Sequence, residues 1–147
     1  MLRINKLTDY ALLIIGEMAK MPDLVQSAST LTDALHLSLP TVSKILKLLA
    51  DAALIQSTRG AKGGYRIAHH PEEITLLQVM IAIEGPLTLT ECCEKNTHCN
   101  IMHRCVMRSN WMKINKYVVN IFEQITLRDM IHPLSPFDFL ENKRQVS

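Results

Sequence analysis

The chain has 147 residues, of which 48% are hydrophobic and 20% charged, and its mean hydropathy is close to zero. This composition predicts one compact domain, or a small domain with an attached element. The longest apolar run, Tyr10–Gly16, lies between Asp9 and Glu17 and is too short to span a bilayer. Because the start of the chain also lacks a signal-peptide pattern, we expect a cytoplasmic protein with no membrane partner.

The net charge of +2 is unevenly distributed along the chain. Residues 1–70 carry eight Lys and Arg against five Asp and Glu, whereas residues 71–147 carry eight against nine. The excess lies between Pro40 and Ala68, where five basic residues stand against one acidic residue, Asp51. A basic stretch of this kind is typical of a polyanion-binding face, and an ordinary solvated surface can give the same count.

The first half of the chain predicts three helices and then a hairpin. The first helix is expected from Tyr10 to Lys20, with Asp9 as its cap. The second ends near Leu35 and is capped by Ser27, Ser29 or Thr30, and the third runs from its cap Ser38 to Ala53. Apolar offsets of three and four in the third helix leave its other face to Thr41, Ser43, Lys44 and Lys47. Strands Leu54–Ser57 and Tyr65–Ala68 enclose a loop that holds Arg59, Lys62 and three of the five glycines.

The second half predicts two further helices around a segment that contains every cysteine. Thr75–Gln78 is a capping-box pattern that opens a helix to about Glu84. From Trp111 to Leu127 the apolar residues recur at helical offsets, which predicts a long amphipathic helix. Its stripe packs either on its own domain or on the same helix of a second subunit. The stripe comprises Ile114, Tyr117, Val118, Ile121, Phe122 and Ile125.

The order helix, tight turn, helix and basic Gly-rich hairpin is that of a winged helix-turn-helix. A helix about 10–12 Å across fits a major groove about 12 Å wide, where small polar and Lys side chains reach bases and phosphates. A hairpin tip with Arg59 and Lys62 can follow the backbone or enter the minor groove. The combination therefore predicts a protein that binds double-stranded DNA.

The four cysteines fall within 14 residues, and Cys93, Cys99 and Cys105 are spaced by five intervening residues, with Cys92 next to the first. Structural zinc sites usually contain a pair of ligands about two to four residues apart, and this segment lacks such a pair. Thiolates on an irregular loop can instead hold an iron–sulfur cluster, although unligated thiols would have the same spacing. A Cys–His catalytic pair would need a third orienting group that is not evident, so we do not expect an enzyme.

Several motifs together resemble the Rrf-type family of winged-helix regulators, which includes iron–sulfur regulators of the Isc and Suf operons and nitric-oxide sensors. The resemblance covers about residues 1–130, and the Thr90–Cys93 start of the cysteine segment and Trp111 look most like the Suf-operon branch. The other matching motifs are Leu7–Ala11, Leu39–Lys44, Arg59–Tyr65, the three spaced cysteines and Ile125–Leu127.

The resemblance implies that Cys93, Cys99 and Cys105 hold an iron–sulfur cluster, for which we favour 2Fe–2S over 4Fe–4S. Where Isc-type regulators have a ligating His, this chain has Arg108, and a guanidinium cannot ligate. Asp9 matches an acidic position used in part of the family and is the first candidate for the fourth ligand. The local alternatives are Cys92, His98 and His103.

The family resemblance also implies the DNA contacts. The residues that it implies are Thr41, Ser43, Lys44, Arg59 and Gly60. The candidate set is completed by Ser38, Lys47, Lys62 and Tyr65 from the same helix and hairpin. We expect a homodimer on a near-palindromic operator, since one recognition helix reads few base pairs. We expect no small-molecule substrate.

The predicted fold is mainly α-helical with a small β-hairpin wing, and it has four parts. These are a winged helix-turn-helix domain at 1–84, a cysteine-containing cluster loop at 85–110, a dimerisation helix at 111–132 and a flexible tail at 133–147. The predicted function is a transcriptional regulator that senses a cluster and controls Suf-type iron–sulfur assembly genes. The alternatives are a nitric-oxide or redox-responsive repressor of the same family and a zinc-stabilised DNA-binding protein.

Overall fold

The computed structural model describes residues 4–94 and 104–132. These ranges are mainly helical with one two-stranded antiparallel sheet, as the sequence predicts. No helix within them is long and apolar enough to cross a membrane. The elements are α1 (Lys6–Ala19), α2 (Ala28–Leu35), α3 (Leu39–Asp51), β1 (Ile55–Thr58), β2 (Gly64–Ile67), α4 (Leu76–Glu84), a 3₁₀ turn (Glu91–Cys93), α5 (Arg108–Gln124) and α6 (Leu127–Ile131).

The helix starts follow local capping chemistry. Helix α1 begins four residues earlier than predicted because Asn5, rather than Asp9, is its cap, with the Asn5 carboxamide oxygen accepting from the Leu7 amide. Ser27 caps α2 as one of the predicted candidates, and its hydroxyl accepts from the Thr30 amide. Thr75 and Gln78 form the predicted capping box of α4, each side chain accepting from the other residue's amide.

The larger cluster of the aliphatic core joins α1, α3, α4 and the hairpin. Ile14, Ile45 and Val79 are fully buried in it, one from each helix. Four of the five apolar positions that the periodicity predicted for α3 are buried, namely Val42, Ile45, Leu46 and Leu49, whereas Leu48 is half-buried. Burial of this aliphatic face holds α3 against α1 and α4 and leaves the opposite face free for a ligand.

The two strands of the hairpin pair with each other, and the hairpin is also hydrogen-bonded to the segment before α2. Strands β1 and β2 run antiparallel with Ile55 opposite Ile67. Beyond this sheet, Gln26 and Tyr65 exchange two backbone hydrogen bonds of 2.8 Å. A Cβ atom at Gly64 would lie 2.6 Å from the carbonyl oxygen of Gln26, so only glycine allows this approach. The base of the wing is therefore positioned by the helix-turn-helix itself.

The chain returns to the core after α5, which corrects the predicted long helix. That helix was expected to run from Trp111 to Leu127, but α5 ends at Gln124 and Ile125 is extended. The Leu76 amide donates to the Ile125 carbonyl at 2.8 Å, and the Leu127 amide donates to that of Ile74 at 2.7 Å. Ile125 and Leu127 are buried, so Ile125 belongs to the core rather than to an exposed stripe.

The molecule therefore has two regions of different character. We call residues 4–84 and 125–131 the core unit, since they share the buried core. We call residues 85–124 the arm, which leaves the core unit after α4 and rejoins it at Ile125. In the described part of the arm, α5 packs against α4 and the 3₁₀ turn and has no buried residue.

Candidate nucleic-acid interface and cysteine segment

Helix α3 presents the predicted polar face to solvent. Ser43, Lys44 and Lys47 are exposed, whereas Thr41 is half-buried. The hydroxyls of Ser38 and Thr41 lie 2.8 Å apart and are hydrogen-bonded to each other, so Ser38 stands at the N-cap position without making the usual cap bond. The structure thus provides two kinds of polar group on one helix: a paired hydroxyl couple at its start and free cationic side chains further along.

The wing brings its predicted residues to one exposed tip. Arg59, Gly60 and Lys62 are exposed, and Tyr65 is half-buried at the base. Gly60 has a φ of +114°, a value that L side chains rarely adopt, which turns the tip between the two cationic side chains. Arg66 was not a predicted contact; it is exposed and donates to the Gln56 carboxamide across the strand pair at 3.1 Å.

The described cysteines lie on the arm at either side of residues 95–103. Cys92, Cys93 and Cys105 are free thiols and half-buried. The Thr90 hydroxyl lies 3.1 Å from the Cys92 sulfur and 3.3 Å from the Cys93 sulfur, which is within hydrogen-bonding range of both. Cys99, His98 and His103 fall outside the described residues. Within 4–94 and 104–132, no three His, Cys, Asp or Glu side chains come together as a metal site.

Asp9 is exposed in the first turn of α1. Its neighbour Thr8 is fully buried, and the Thr8 hydroxyl donates to the Glu84 carboxylate, which also accepts from the Asn5 amide at 3.2 Å. Because Glu84 is the last residue of α4, the start of α1 is held beside the point where the chain enters the arm. The role of Glu84 was not predicted from the sequence, because a carboxylate at the end of a helix gives no indication of a partner 76 residues away.

Asn115 fastens the start of the cysteine segment to α5 and was also missed. Its carboxamide oxygen accepts from the Leu89 amide at 2.8 Å, and its nitrogen donates to the Leu87 carbonyl at 3.4 Å. An Asn in the middle of an amphipathic helix is the available signal, because Asn is a poor helix former that prefers backbone partners. The residues leading to Cys92 and Cys93 are therefore linked to the same helix that follows Cys105.

The outer face of α5 is apolar and exposed in the single chain. Trp111, Ile114, Tyr117 and Ile121 are all exposed, whereas Val118 and Phe122 are half-buried. Phe122 packs against the core-unit cluster of Leu76, Met80 and Ile125. The predicted stripe is thus divided, with its inner part on the molecule's own core and its outer part open. An open apolar row of this length is typical of an interaction surface.

Comparison with known proteins identifies the family. The family model for Rrf2, described as an iron-dependent transcriptional regulator, matches residues 4–133. The chain belongs to the Rrf2 family. The family is one of transcriptional regulators, and the mainly helical fold with a two-stranded wing is the one that the sequence predicted.

Two relatives and one solved structure show how far the similarity extends. Protein rrf2 of Nitratidesulfovibrio vulgaris is 33% identical over 99 residues, 67% of this chain and just under two thirds (66%) of that relative's own length. The HTH-type transcriptional regulator NsrR of Shouchella clausii is 26% identical over 132 residues, 88% of this chain and 89% of the relative. CymR (YrzC), the global cysteine regulator of B. subtilis, superposes with a TM-score of 0.70 at 27% identity, covering 89% of this chain and 97% of CymR.

Proposed function

We propose that this Rrf2 protein is a homodimeric regulator that senses an iron–sulfur cluster through Cys93, Cys99 and Cys105 and controls Suf-type iron–sulfur assembly genes. The observation that carries the proposal is the placement of two free, half-buried thiols, Cys93 and Cys105, on the arm between the core unit and α5. A cofactor held there would act on the segment that joins the end of α4 to the start of α5, the helix that carries the open apolar face.

The donor chemistry suits an iron–sulfur cluster. Cys93 and Cys105 are half-buried, so each thiol is accessible to an incoming iron–sulfur cluster and is also partly surrounded by protein. The Thr90 hydroxyl beside Cys93 can donate to a thiolate, and hydrogen bonds to ligand sulfurs are a known means of tuning clusters. When bound, such a cluster supplies a reversible, redox-sensitive link among the thiolates that hold it.

Asp9 is the proposed fourth ligand, supplied by the same chain or by a second subunit. It is exposed and lies next to Thr8, whose hydroxyl bonds to Glu84 at the entrance to the arm. Ligation by Asp9 would therefore connect the cysteine segment to the first helix of the core unit. Cys92, His98 and His103 remain the alternatives for this position.

The DNA-facing residues have distinct proposed roles. Exposed Lys44 and Lys47 on α3 and Arg59 and Lys62 on the wing would contact phosphates, which supplies affinity without sequence preference. Ser43, with the Ser38 and Thr41 hydroxyl pair, would contact base edges. In a dimer formed by α5, two such units would read half-sites about one helical turn, ~34 Å, apart on a near-palindromic operator.

Anaerobic purification with iron and acid-labile sulfide analysis and a visible spectrum tests the cofactor. The expected result is a brown protein with stoichiometric iron and sulfide, both lost in Cys105→Ala and retained in the adjacent-thiol control Cys92→Ala. A colourless protein that contains zinc would establish the zinc-stabilised alternative. A colourless protein without metal would leave a cluster-free regulator.

The gene target and the stimulus are tested separately. Transcript profiling after deletion of the gene should show the earliest and largest changes in the transcript levels of iron–sulfur assembly genes. A response confined to nitric-oxide-detoxifying genes, with a spectrum bleached by nitric oxide, would instead establish the nitric-oxide-responsive repressor.

A further inference from the structure

One apolar side chain interrupts the polar face of the recognition helix. Leu39 is the first residue of α3 and 46% exposed, and it is followed by exposed Pro40. Leu39, Ser43 and Lys47 are spaced by four residues and therefore follow one another along the same side of the helix. The apolar group thus stands at the N-terminal end of a row that continues into a hydroxyl and then a cation.

Leu39 is not part of the buried core of the described residues. The buried face of α3 consists of Val42, Ile45, Leu46 and Leu49, and Leu39 is absent from both core clusters. A single exposed leucine is unremarkable elsewhere on a surface, but the start of a recognition helix is the part that approaches base edges. The location therefore matters more than the exposure.

The major groove offers few apolar partners. Its edges display hydrogen-bond donors and acceptors, and the C5-methyl group of thymine is the apolar feature among them. Lys44 and Lys47, one to two turns further along, attract DNA to the exposed face of the helix, which gives this face charge complementarity to the duplex. A leucine held at the groove by these cations matches a methyl group and no other base substituent.

We propose that Leu39 is a specificity-determining residue that recognises the C5-methyl group of a thymine in each operator half-site. Pro40 supports this role because its ring fixes the backbone at the second position of the helix, limiting the positions Leu39 can reach. The inference rests on the proposed DNA-binding role of α3 but does not depend on the cluster.

The test uses uracil, which pairs as thymine does and lacks only the methyl group. Duplexes are first selected from a randomised library with the full-length wild-type chain. The best duplex is then synthesised with each thymine replaced in turn by uracil, and affinities are compared for wild type, Leu39→Ala, Leu39→Met and Leu24→Ala. Leu24 is the matched control because it is also 46% exposed but lies before α2.

Replacement of thymine by uracil at one position of each half-site should lower the affinity of the wild-type chain about fourfold per half-site. This is the factor expected from the burial of one methyl-sized group. Leu39→Ala should bind thymine and uracil duplexes equally at that position, whereas Leu39→Met and Leu24→Ala should retain the discrimination. Uniform tolerance of uracil by wild type, or unchanged discrimination in Leu39→Ala, would overturn the inference while leaving DNA binding intact. Failure of the wild type to select any duplex would overturn the proposed role of α3 as well.

Discussion

The core unit and the arm are built on opposite principles. Helix α1 buries seven of its residues and α3 four, whereas α5, the longest helix described, buries none. A helix gains most of its stability from tertiary packing of its apolar face, so α1 and α3 are held by their own chain. The open side of α5 needs a partner to bury it. The surface proposed to contact DNA is therefore held rigidly by the core, whereas the arm is the region that we expect to respond to its surroundings.

The largest effect is expected from shortening a buried side chain in α6, where the chain rejoins the core after α5. Leu127 is 1% exposed, so Leu127→Ala should lower the free energy of unfolding by about 2–5 kcal/mol through lost burial and a cavity. Met130→Ala on the same helix is the matched control, since Met130 is 40% exposed and should cost far less. Chemical denaturation measures both. Equal effects would show that α6 is not part of the core.

A substitution on the exposed face of the arm should have the opposite effect: it should weaken association between subunits and leave the folding of each subunit unchanged. In a two-fold dimer each substitution counts twice, so Ile114→Lys on the exposed face of α5 should weaken dimerisation by about 100-fold or more. Sedimentation velocity over a range of concentrations measures this change. Lys113→Ala, at the neighbouring exposed position, is the control that should stay dimeric. Wild-type protein that is monomeric at micromolar concentration and still binds an operator tightly would contradict the role of α5.

The smallest expected effect concerns the wing, where charge rather than packing is at stake. Lys62→Ala should weaken binding to specific and random duplexes alike and reduce the slope of log affinity against log salt by about one unit per lost phosphate contact per subunit. Folding should be unaffected because Lys62 is exposed. Fluorescence anisotropy titrations across a salt series provide the measurement. An unchanged slope and affinity would place the wing away from DNA.

Local chemistry made much of the fold predictable. The Thr75 capping box, the α3 periodicity and the Gly-rich hairpin each have a short-range cause, and all three are found in the structure. The break at Ile125 was missed because its offset fits the helical stripe of α5. A signal was nevertheless present: Thr126 and Asp129 form a second capping box, the same arrangement as in α4.

The candidate site was predictable in its residue types and less so in its connections. Exposed cations on α3 and the wing follow from periodicity and composition, which act over a few residues. The Glu84 contact with Thr8 and the Asn115 contact with Leu89 join residues far apart in sequence, and no local pattern specifies which partner each side chain takes. The first contact holds the start of α1 beside the end of α4, where the arm begins, and the second holds the residues before the cysteines against α5.

In the proposed mechanism, the cofactor state of the arm sets the DNA affinity of the core unit. Its most direct test is the affinity for the selected operator of cluster-free and anaerobically reconstituted protein, measured side by side with Cys99→Ala treated in both ways. We predict a difference of about 5–150-fold between the two wild-type forms, the usual range for coupled sites, and no difference between the two Cys99→Ala samples. Equal affinities in all four samples would contradict the claim and leave a DNA-binding protein without a switch.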